Sequence, residues 1–306
     1  MFATVMALDR FKPQQDKSPL SAWIVVNYTY LTDIMPISKG QIAKSRRLNR
    51  LKTGRLQTNR PRLRGSGLKR QWTRTMETIS TAKITTTIEE NLAGVGAQVE
   101  TACSRAGREV HPRLVAVSKR QPDERIAAVL QAGHRVFGEN RVQEAQQRWQ
   151  ERRRTYDDLR LHLIGGLQTN KAAEAVALFD VIEVVDRPKL ARALAAEMQK
   201  AGRHLECYIQ VNTGEEPQKS GVMPDDLDAL LAMCWNECGL NITGLMCIPP
   251  VEEEPAMHFA LLRGMAERHA LAELSMGMSG DFEDAIAFGA TSIRVGSAIF
   301  GARDSL

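Results

Sequence analysis

From about residue 85 onward, short β-branched apolar segments alternate with amphipathic helical segments, and the alternation yields eight candidate strands. Strands alternating with helices form right-handed βαβ units and a parallel sheet. Eight units in roughly 220 residues are typical of a single closed (β/α)8 barrel of the TIM type. A doubly wound open sheet is the alternative, which is disfavoured because no G-x-G-x-x-G follows the first strand. The predicted strands are Arg113–Lys119, Arg135–Asn140, Leu161–Gly165, Val181–Asp186, Leu205–Asn212, Ile242–Pro249, Leu274–Ser279 and Ser292–Phe300.

An extra helix is predicted before the barrel, over Thr85–Arg108. Apolar residues recur there at intervals of three and four, which is the spacing of one helix face. The residues on this face are Ile88, Leu92, Val95, Val99 and Cys103. We therefore divide the chain into an extension, residues 1–75, and a barrel domain, residues 76–306.

The extension differs from the barrel in charge and in patterning. It holds 16 Lys and Arg against three Asp and Glu, whereas the remaining residues hold 25 against 33. A segment so poor in apolar periodicity cannot offset its ordering entropy, so we expect the extension to be disordered. Three interpretations stay open: a tail for nucleic acid or anionic surfaces, an Arg-rich targeting segment, or a start codon placed upstream of a true start at Met76. The acidic remainder argues against a nucleic-acid partner for the barrel.

The cysteines and the hydropathy indicate the compartment. The five cysteines are odd in number, widely spread, and lack a C-x-x-C pair or a histidine cluster at zinc spacing. We expect reduced thiols, no metal site and a cytoplasmic protein. No stretch reaches the roughly 20 apolar residues of a membrane span, so no membrane partner is expected.

Two basic residues sit at unusual places on the predicted strands. Lys119 closes an otherwise apolar first strand, where chemistry in this fold is found. A partly desolvated amine there has a lowered pKa and can attack a carbonyl; the plainer alternative is a lysine that marks the strand exit. Arg294 lies within the last strand, between Ile293 and Val295, and points either into the barrel with a partner or outward between helices.

Gly/Ser-rich turns occur on both of the last two strands, at 274–280 and 294–301. In this fold the loops after these strands often present backbone N–H groups to a phosphate. A lysine able to form a Schiff base, an arginine and a phosphate cradle at one barrel mouth suit an aldehyde that carries a phosphate ester. Pyridoxal 5'-phosphate (PLP) is the obvious candidate.

Seven segments, in order from about residue 85 to the C-terminus, resemble the pyridoxal-phosphate homeostasis proteins, the YggS/PROSC-type family with a barrel like the alanine racemase N-terminal domain. The first 75 residues lie outside the resemblance. The matching segments are Ala116-Val-Ser-Lys119, Phe137-Gly-Glu-Asn-Arg-Val-Gln-Glu144, His162-Leu-Ile-Gly-Gly-Leu-Gln-Thr-Asn-Lys171, Lys219-Ser-Gly221, Gly244-Leu-Met-Cys-Ile-Pro249, Leu274-Ser-Met-Gly-Met-Ser279 and Arg294-Val-Gly-Ser-Ala-Ile-Phe-Gly-Ala-Arg303.

The resemblance implies roles for individual residues. Lys119 matches the lysine that holds PLP as an internal aldimine, Asn140 matches a residue beside the cofactor ring, and Arg294 matches the arginine facing the pyridine nitrogen. The other implied site positions are a phosphate cradle of Ser275, Gly296 and Ser297 and two pocket positions, His162 and Met246.

The function implied is PLP binding in intracellular PLP homeostasis, with no catalytic residue assigned. Delivery to PLP-dependent apoenzymes and a monomeric state belong to the same expectation. The alternative is a PLP-dependent amino-acid racemase. It is disfavoured because those enzymes add a C-terminal domain and a catalytic tyrosine, whereas this chain ends five residues after Gly301 and places no tyrosine like that base.

Overall fold

The chain forms a closed barrel of eight parallel strands, in a computed structural model that describes the backbone of residues 66–301 and the side chains of residues 83–301. The strands pair in chain order, and β1 closes the barrel against β8, with Arg113 opposite Ser292 and Ala116 opposite Val295. The predicted (β/α)8 barrel is confirmed. The strands are β1 Arg113–Val117, β2 Val136–Glu139, β3 Arg160–Leu163, β4 Val181–Val185, β5 Glu206–Val211, β6 Asn241–Cys247, β7 Glu273–Ser275 and β8 Ser292–Val295.

Helices follow the strands, and two single 3-10 turns, at Thr169–Lys171 and Pro224–Asp226, lead into helices. In the part of the chain that the structure describes, none of these helices is long and apolar enough to cross a membrane. The helices are α1 Ser66–Arg105, α2 Asp123–Gln131, α3 Val142–Trp149, α4 Arg152–Thr155, α5 Ala172–Leu178, α6 Pro188–Ala201, α7 Leu227–Asn236, α8 Pro255–Arg268, α9 Phe282–Ala287 and α10 Ser297–Phe300.

The core lies between the strands and the helix layer. Every residue of β4 is buried, as expected for a parallel strand with one face in the barrel and the other under helices. Phe137 of β2 and Trp149 of α3 are fully buried, and their ring centroids lie 4.5 Å apart. This packing fixes α3 against the strand that ends beside the barrel mouth.

Helix α1 is longer than the predicted helix and begins at Ser66. Residues 66–75, which we assigned to the extension, are therefore helical backbone, and the predicted boundary at residue 75 lies within α1. No glycine or proline occurs between residues 68 and 93, so nothing in the sequence ends the helix there. Residues 1–65 of the predicted extension lie outside the described residues. On the predicted apolar face of α1, four residues are buried and Leu92 is half-buried.

The eighth strand is shorter than predicted. It ends at Val295, and the residues expected to continue it form the short helix α10. The chain changes from strand to helix at Gly296, whose carbonyl accepts hydrogen bonds from the backbone N–H groups of Ile299 and Phe300 at 3.0 and 2.9 Å. The run from Ala298 to Phe300 is apolar because α10 packs inward, and apolar character alone does not separate a buried strand from a buried helical turn.

Candidate functional site

A cavity of about 260 Å³ opens at the mouth of the barrel, where the strands end. Small-molecule sites usually enclose roughly 300–1,000 Å³. This cavity lies just below that range and therefore suits a small ligand. Apolar walls come from Ile164, Ile248 and Met278. The polar wall consists of Lys119, Gln121, Asn140, Ser279, Arg294 and Ser297, with the backbone of Gly280, Gly296 and Gly301.

Lys119 reaches this cavity from the turn after β1. It lies two residues beyond Val117 and is half-buried, as expected for an amine at the barrel mouth rather than on the outer surface. The next residue, Arg120, has a φ of +57°, in the left-handed region, so the chain bends sharply after the lysine.

A buried glutamate fixes the backbone that carries Lys119. Glu139, at the end of β2, has no exposed surface, and its Oε1 accepts hydrogen bonds from Ser118 Oγ at 2.7 Å and Trp149 Nε1 at 3.0 Å. Arg148 donates to the same oxygen at 2.8 Å and to the Ser118 carbonyl at 3.1 Å. We call Ser118, Glu139, Arg148 and Trp149 the β1–β2 clamp. The clamp holds the end of β1 against α3 and so restrains Lys119.

Asn140 enters the cavity wall from the end of β2. Its side-chain oxygen Oδ1 is buried and accepts no hydrogen bond within the described part of the chain. Its backbone is packed closely against Gly165, where an added Cβ would lie 2.5 Å from the Asn140 carbonyl oxygen. Gly165 therefore lets the loop after β3 approach Asn140 closely.

Arg294 points into the barrel, which resolves the two orientations left open by the sequence. It is only 3% exposed, and its Nη1 donates to Ser275 Oγ at 2.7 Å. Its Nη2 donates to the Cys247 carbonyl at 2.8 Å. Its backbone N–H donates to the carbonyl of Gly277, in the turn after β7, at 2.9 Å. The guanidinium is thus held on two sides at the cavity wall.

Behind Arg294 lies a buried polar network whose central residue, Glu183, sequence reasoning missed. Glu183 Oε2 accepts a hydrogen bond from Ser275 Oγ at 2.6 Å, and Glu183 Oε1 lies 2.5 Å from His162 Nδ1. Burial acts to raise the pKa of Glu183, but the hydrogen bond from His162 and the charges of His162 and Arg294 bring it below its ordinary value. The sequence does carry a signal for Glu183. It is a charged residue within the apolar segment Val181-Ile-Glu-Val-Val185, just as Arg294 is a charged residue within β8.

The two predicted Gly/Ser turns lie side by side at the mouth. The backbone N–H of Gly296 donates to Ser279 Oγ at 3.3 Å, which connects the turn after β8 to the turn after β7. Gly277 has a φ of +90°, and a Cβ there would lie 2.6 Å from the Ala285 side chain, so the turn after β7 requires glycine. At the start of α10, as in any helix, the first backbone N–H groups have no acceptor within the helix.

The structure brings five of the eight predicted site residues to the cavity wall: Lys119, Asn140, Arg294, Gly296 and Ser297. The other three do not reach it. Ser275 and His162 are fully buried, because their side chains bind Arg294 and Glu183 within the barrel. Met246 of β6 is fully buried in the core. Ser279 occupies the wall where we expected Ser275.

The family described as "Alanine racemase, N-terminal domain" matches residues 91–304 of the chain. The pyridoxal phosphate homeostasis protein of Vibrio cholerae is 39% identical over 228 residues, which are 71% of this chain and 97% of that protein. The protein of the same description from Pseudomonas aeruginosa is 41% identical over 226 residues, 71% of this chain and 96% of that one.

Among solved structures, PipY of Synechococcus elongatus PCC7942 with PLP bound is 38% identical, with a TM-score of 0.61 over 70% of this chain and 100% of PipY. The match begins within α1, so the first residues of the chain lie outside it. On the family match and on these relatives, the chain belongs to the pyridoxal phosphate homeostasis protein family.

Proposed function

We propose that this chain binds PLP covalently through Lys119 and acts in PLP homeostasis as a carrier of the cofactor, without catalysing a reaction on it. The observation that carries the proposal is the convergence of Lys119, Arg294 and two Gly/Ser turns on one small cavity. The relatives named for PLP homeostasis, and PipY with PLP bound, support the choice of ligand.

The residues of the cavity fit the chemistry of PLP. When bound, PLP supplies an aldehyde that condenses with a lysine amine and releases water. Lys119 provides that amine. The backbone at the start of α10, after Gly296 whose own N–H donates to Ser279 Oγ, and the Ser279 hydroxyl offer donors to a phosphate. Asn140 lines the same cavity and is the side chain that we place beside the cofactor ring.

Arg294 also bears on which chemistry the site favours. An arginine cannot accept a proton, and a pyridine nitrogen that faces it stays unprotonated. An unprotonated ring withdraws electrons less strongly than one paired with an aspartate. The site is therefore better suited to holding the cofactor than to aspartate-dependent reactions such as transamination.

Racemisation is the second candidate, because the matched family is described by an alanine racemase domain. Two-sided proton transfer needs a second acid or base at the ligand. The two tyrosines in the described part of the chain do not line the cavity: Tyr208 binds Glu206 and Glu273, and Tyr156 stacks under Arg135. Burial raises the pKa of Cys247 to about 12, so that thiol is a poor base at neutral pH. These positions favour the carrier.

The cellular setting belongs to the same proposal. All five cysteines are free, as expected for a protein of the cytoplasm. We place the protein there as a monomer that passes PLP to PLP-dependent apoenzymes. Size-exclusion chromatography with light scattering tests the monomer, and a dimer at micromolar concentration would overturn that part.

Borohydride trapping tests the covalent link. The wild-type protein incubated with PLP and reduced with borohydride should carry one stable cofactor adduct, which peptide mapping places on Lys119. Lys119→Ala should carry none. Lys171→Ala is the matched control, because Lys171 lies outside this cavity and pairs with Glu174 at 2.9 Å. The absence of an adduct in the wild type, or full labelling of Lys119→Ala, would overturn the proposal.

A separate measurement distinguishes the carrier from the racemase. Free amino acids are incubated with the PLP-loaded protein in deuterated water, and deuterium at the α-carbon is measured by mass spectrometry. The carrier predicts no exchange above a control that contains PLP alone. Exchange well above that control would establish the racemase instead.

A further inference from the structure

Four buried side chains from four strands form a continuous hydrogen-bonded line across the barrel. His162 of β3 bonds Glu183 of β4 at 2.5 Å, and Glu183 accepts from Ser275 of β7 at 2.6 Å. Ser275 in turn accepts from Arg294 of β8 at 2.7 Å. Three of them have no exposed surface, and Arg294 is 3% exposed. Only Arg294 reaches the cavity wall.

Glu183 supplies the negative charge in this line. The other group that Arg294 binds, the carbonyl of Cys247, is neutral. A buried guanidinium without a counter-charge is costly, and Glu183 provides that charge one hydroxyl away. An ionised carboxylate only accepts hydrogen bonds, so His162 Nδ1 donates to it. The titratable groups that face Glu183 are His162 from β3, Tyr208 from β5 and Arg294 from β8.

We propose that Glu183 is a positioning residue of the cofactor site, which orients Arg294 through Ser275 and balances its charge. The inference rests on the proposed function, because it takes PLP as the ligand that Arg294 faces. The guanidinium orients the ligand by hydrogen bonding, and the Glu183 carboxylate offsets part of the positive potential that Arg294 brings to the cavity. The protonated nitrogen that links Lys119 to the cofactor then retains its proton at higher pH than beside an uncompensated guanidinium.

Glu183→Gln tests the charge while keeping an oxygen that can accept from Ser275. We expect the pH midpoint of the visible absorbance of bound PLP to fall by on the order of one pH unit. Glu273→Gln is the matched control, since Glu273 also belongs to a barrel network but bonds Tyr208 and Thr291, outside the cavity. The control should keep the wild-type midpoint.

Ser275→Ala tests the connection to Arg294 and changes a single oxygen atom. Arg294 would lose one of its two side-chain anchors, so we expect the dissociation constant for PLP to rise about tenfold. Equilibrium titration of the full chain with PLP measures this change. Thermal unfolding of each variant checks that it is folded, and Ser275→Ala decides the question if Glu183→Gln does not fold.

The outcomes separate the two proposals. If the wild type forms no adduct on Lys119, the proposed function fails first. If the wild type forms the adduct but Glu183→Gln keeps the wild-type midpoint, only the role of Glu183 is overturned. A wild-type dissociation constant for PLP in folded Ser275→Ala would also overturn the proposed role of Glu183.

Discussion

The hydroxyl of Ser118 donates a 2.7 Å hydrogen bond to Oε1 of Glu139, and this bond ties the residue before Lys119 to the end of the neighbouring strand. Arg148 and Trp149 donate to the same oxygen from α3. The position of Lys119 therefore depends on a carboxylate that does not touch the cavity.

Removing that carboxylate should destabilise the protein. Glu139→Ala leaves Arg148 largely buried without its partner, and we expect the free energy of unfolding to fall by about 3 kcal/mol. Urea denaturation measures the change. Glu144→Ala is the control in the same segment, because its 3.3 Å pair with Arg141 is largely solvent-facing and should contribute less than about 1 kcal/mol. Equal losses in the two variants would contradict the buried role of Glu139.

Two adjacent glycines after β3 should respond differently to alanine. At Gly165 an added Cβ would lie 2.5 Å from the Asn140 carbonyl oxygen, so Gly165→Ala must displace Asn140. Because Asn140 is a proposed contact of PLP, we expect PLP binding to weaken by about tenfold. At Gly166 the nearest atom is Ser220 Oγ at 3.3 Å, the end of a side chain that can rotate. In a titration with PLP, Gly166→Ala should therefore bind with nearly the wild-type dissociation constant. A similar loss of affinity in both variants would show that displacement of Asn140 is not the cause.

Tyr208 should matter for stability and not for ligand binding. Its hydroxyl lies 3.1 Å from Glu206 Oε1 and accepts from Arg113 at 3.3 Å. Burial, with Glu183, Glu206 and Glu273 nearby, raises its pKa above the usual value, so it remains a donor. Tyr208→Phe should cost about 1–2 kcal/mol of unfolding free energy and leave the PLP dissociation constant unchanged. Loss of PLP binding in folded Tyr208→Phe would contradict this.

The pH dependence of stability should reveal Glu183. Its folded-state pKa lies below its ordinary value, about 4.3 in an unfolded chain. The ionised carboxylate therefore stabilises the folded state fully above that pH, and this stabilisation is lost as pH falls through the folded-state pKa. The stability of the wild type relative to Glu183→Gln should decrease as pH falls from about 5 to 3. Chemical denaturation at several pH values measures the difference, and a constant difference would refute the expectation.

The barrel could be predicted from the sequence, because eight apolar segments separated by helical ones leave few other topologies. The residue at which β8 ends could not be predicted. The run from Ala298 to Phe300 is apolar in either conformation, and its helical turn is fixed by contacts from distant parts of the chain. Asn91 of α1 donates to the Ile299 carbonyl at 2.9 Å, and Arg125 of α2 donates to the Phe300 carbonyl at 3.1 Å.

The candidate site could be predicted where single residues stand out at strand ends. Lys119 and the two Gly/Ser turns follow from position alone. The orientation of Arg294 could not be predicted, because a charged side chain within a strand can point to either face of the sheet, and its partner is not evident from the sequence. That partner network includes Glu183, which lies 111 residues away in the sequence. Only the closure of the barrel brings the two together.

The pairing of β1 with β8 has a consequence for how the chain gains its ligand during synthesis. Lys119 follows the first strand to be made, whereas Arg294 and the glycine turn belong to the eighth. On the proposed function, a nascent chain still lacking its eighth strand would carry Lys119 without Arg294 and the turn after β8, two of the features that converge on the cavity. The proposed site would then be complete only after the last strand has been made, near the end of translation.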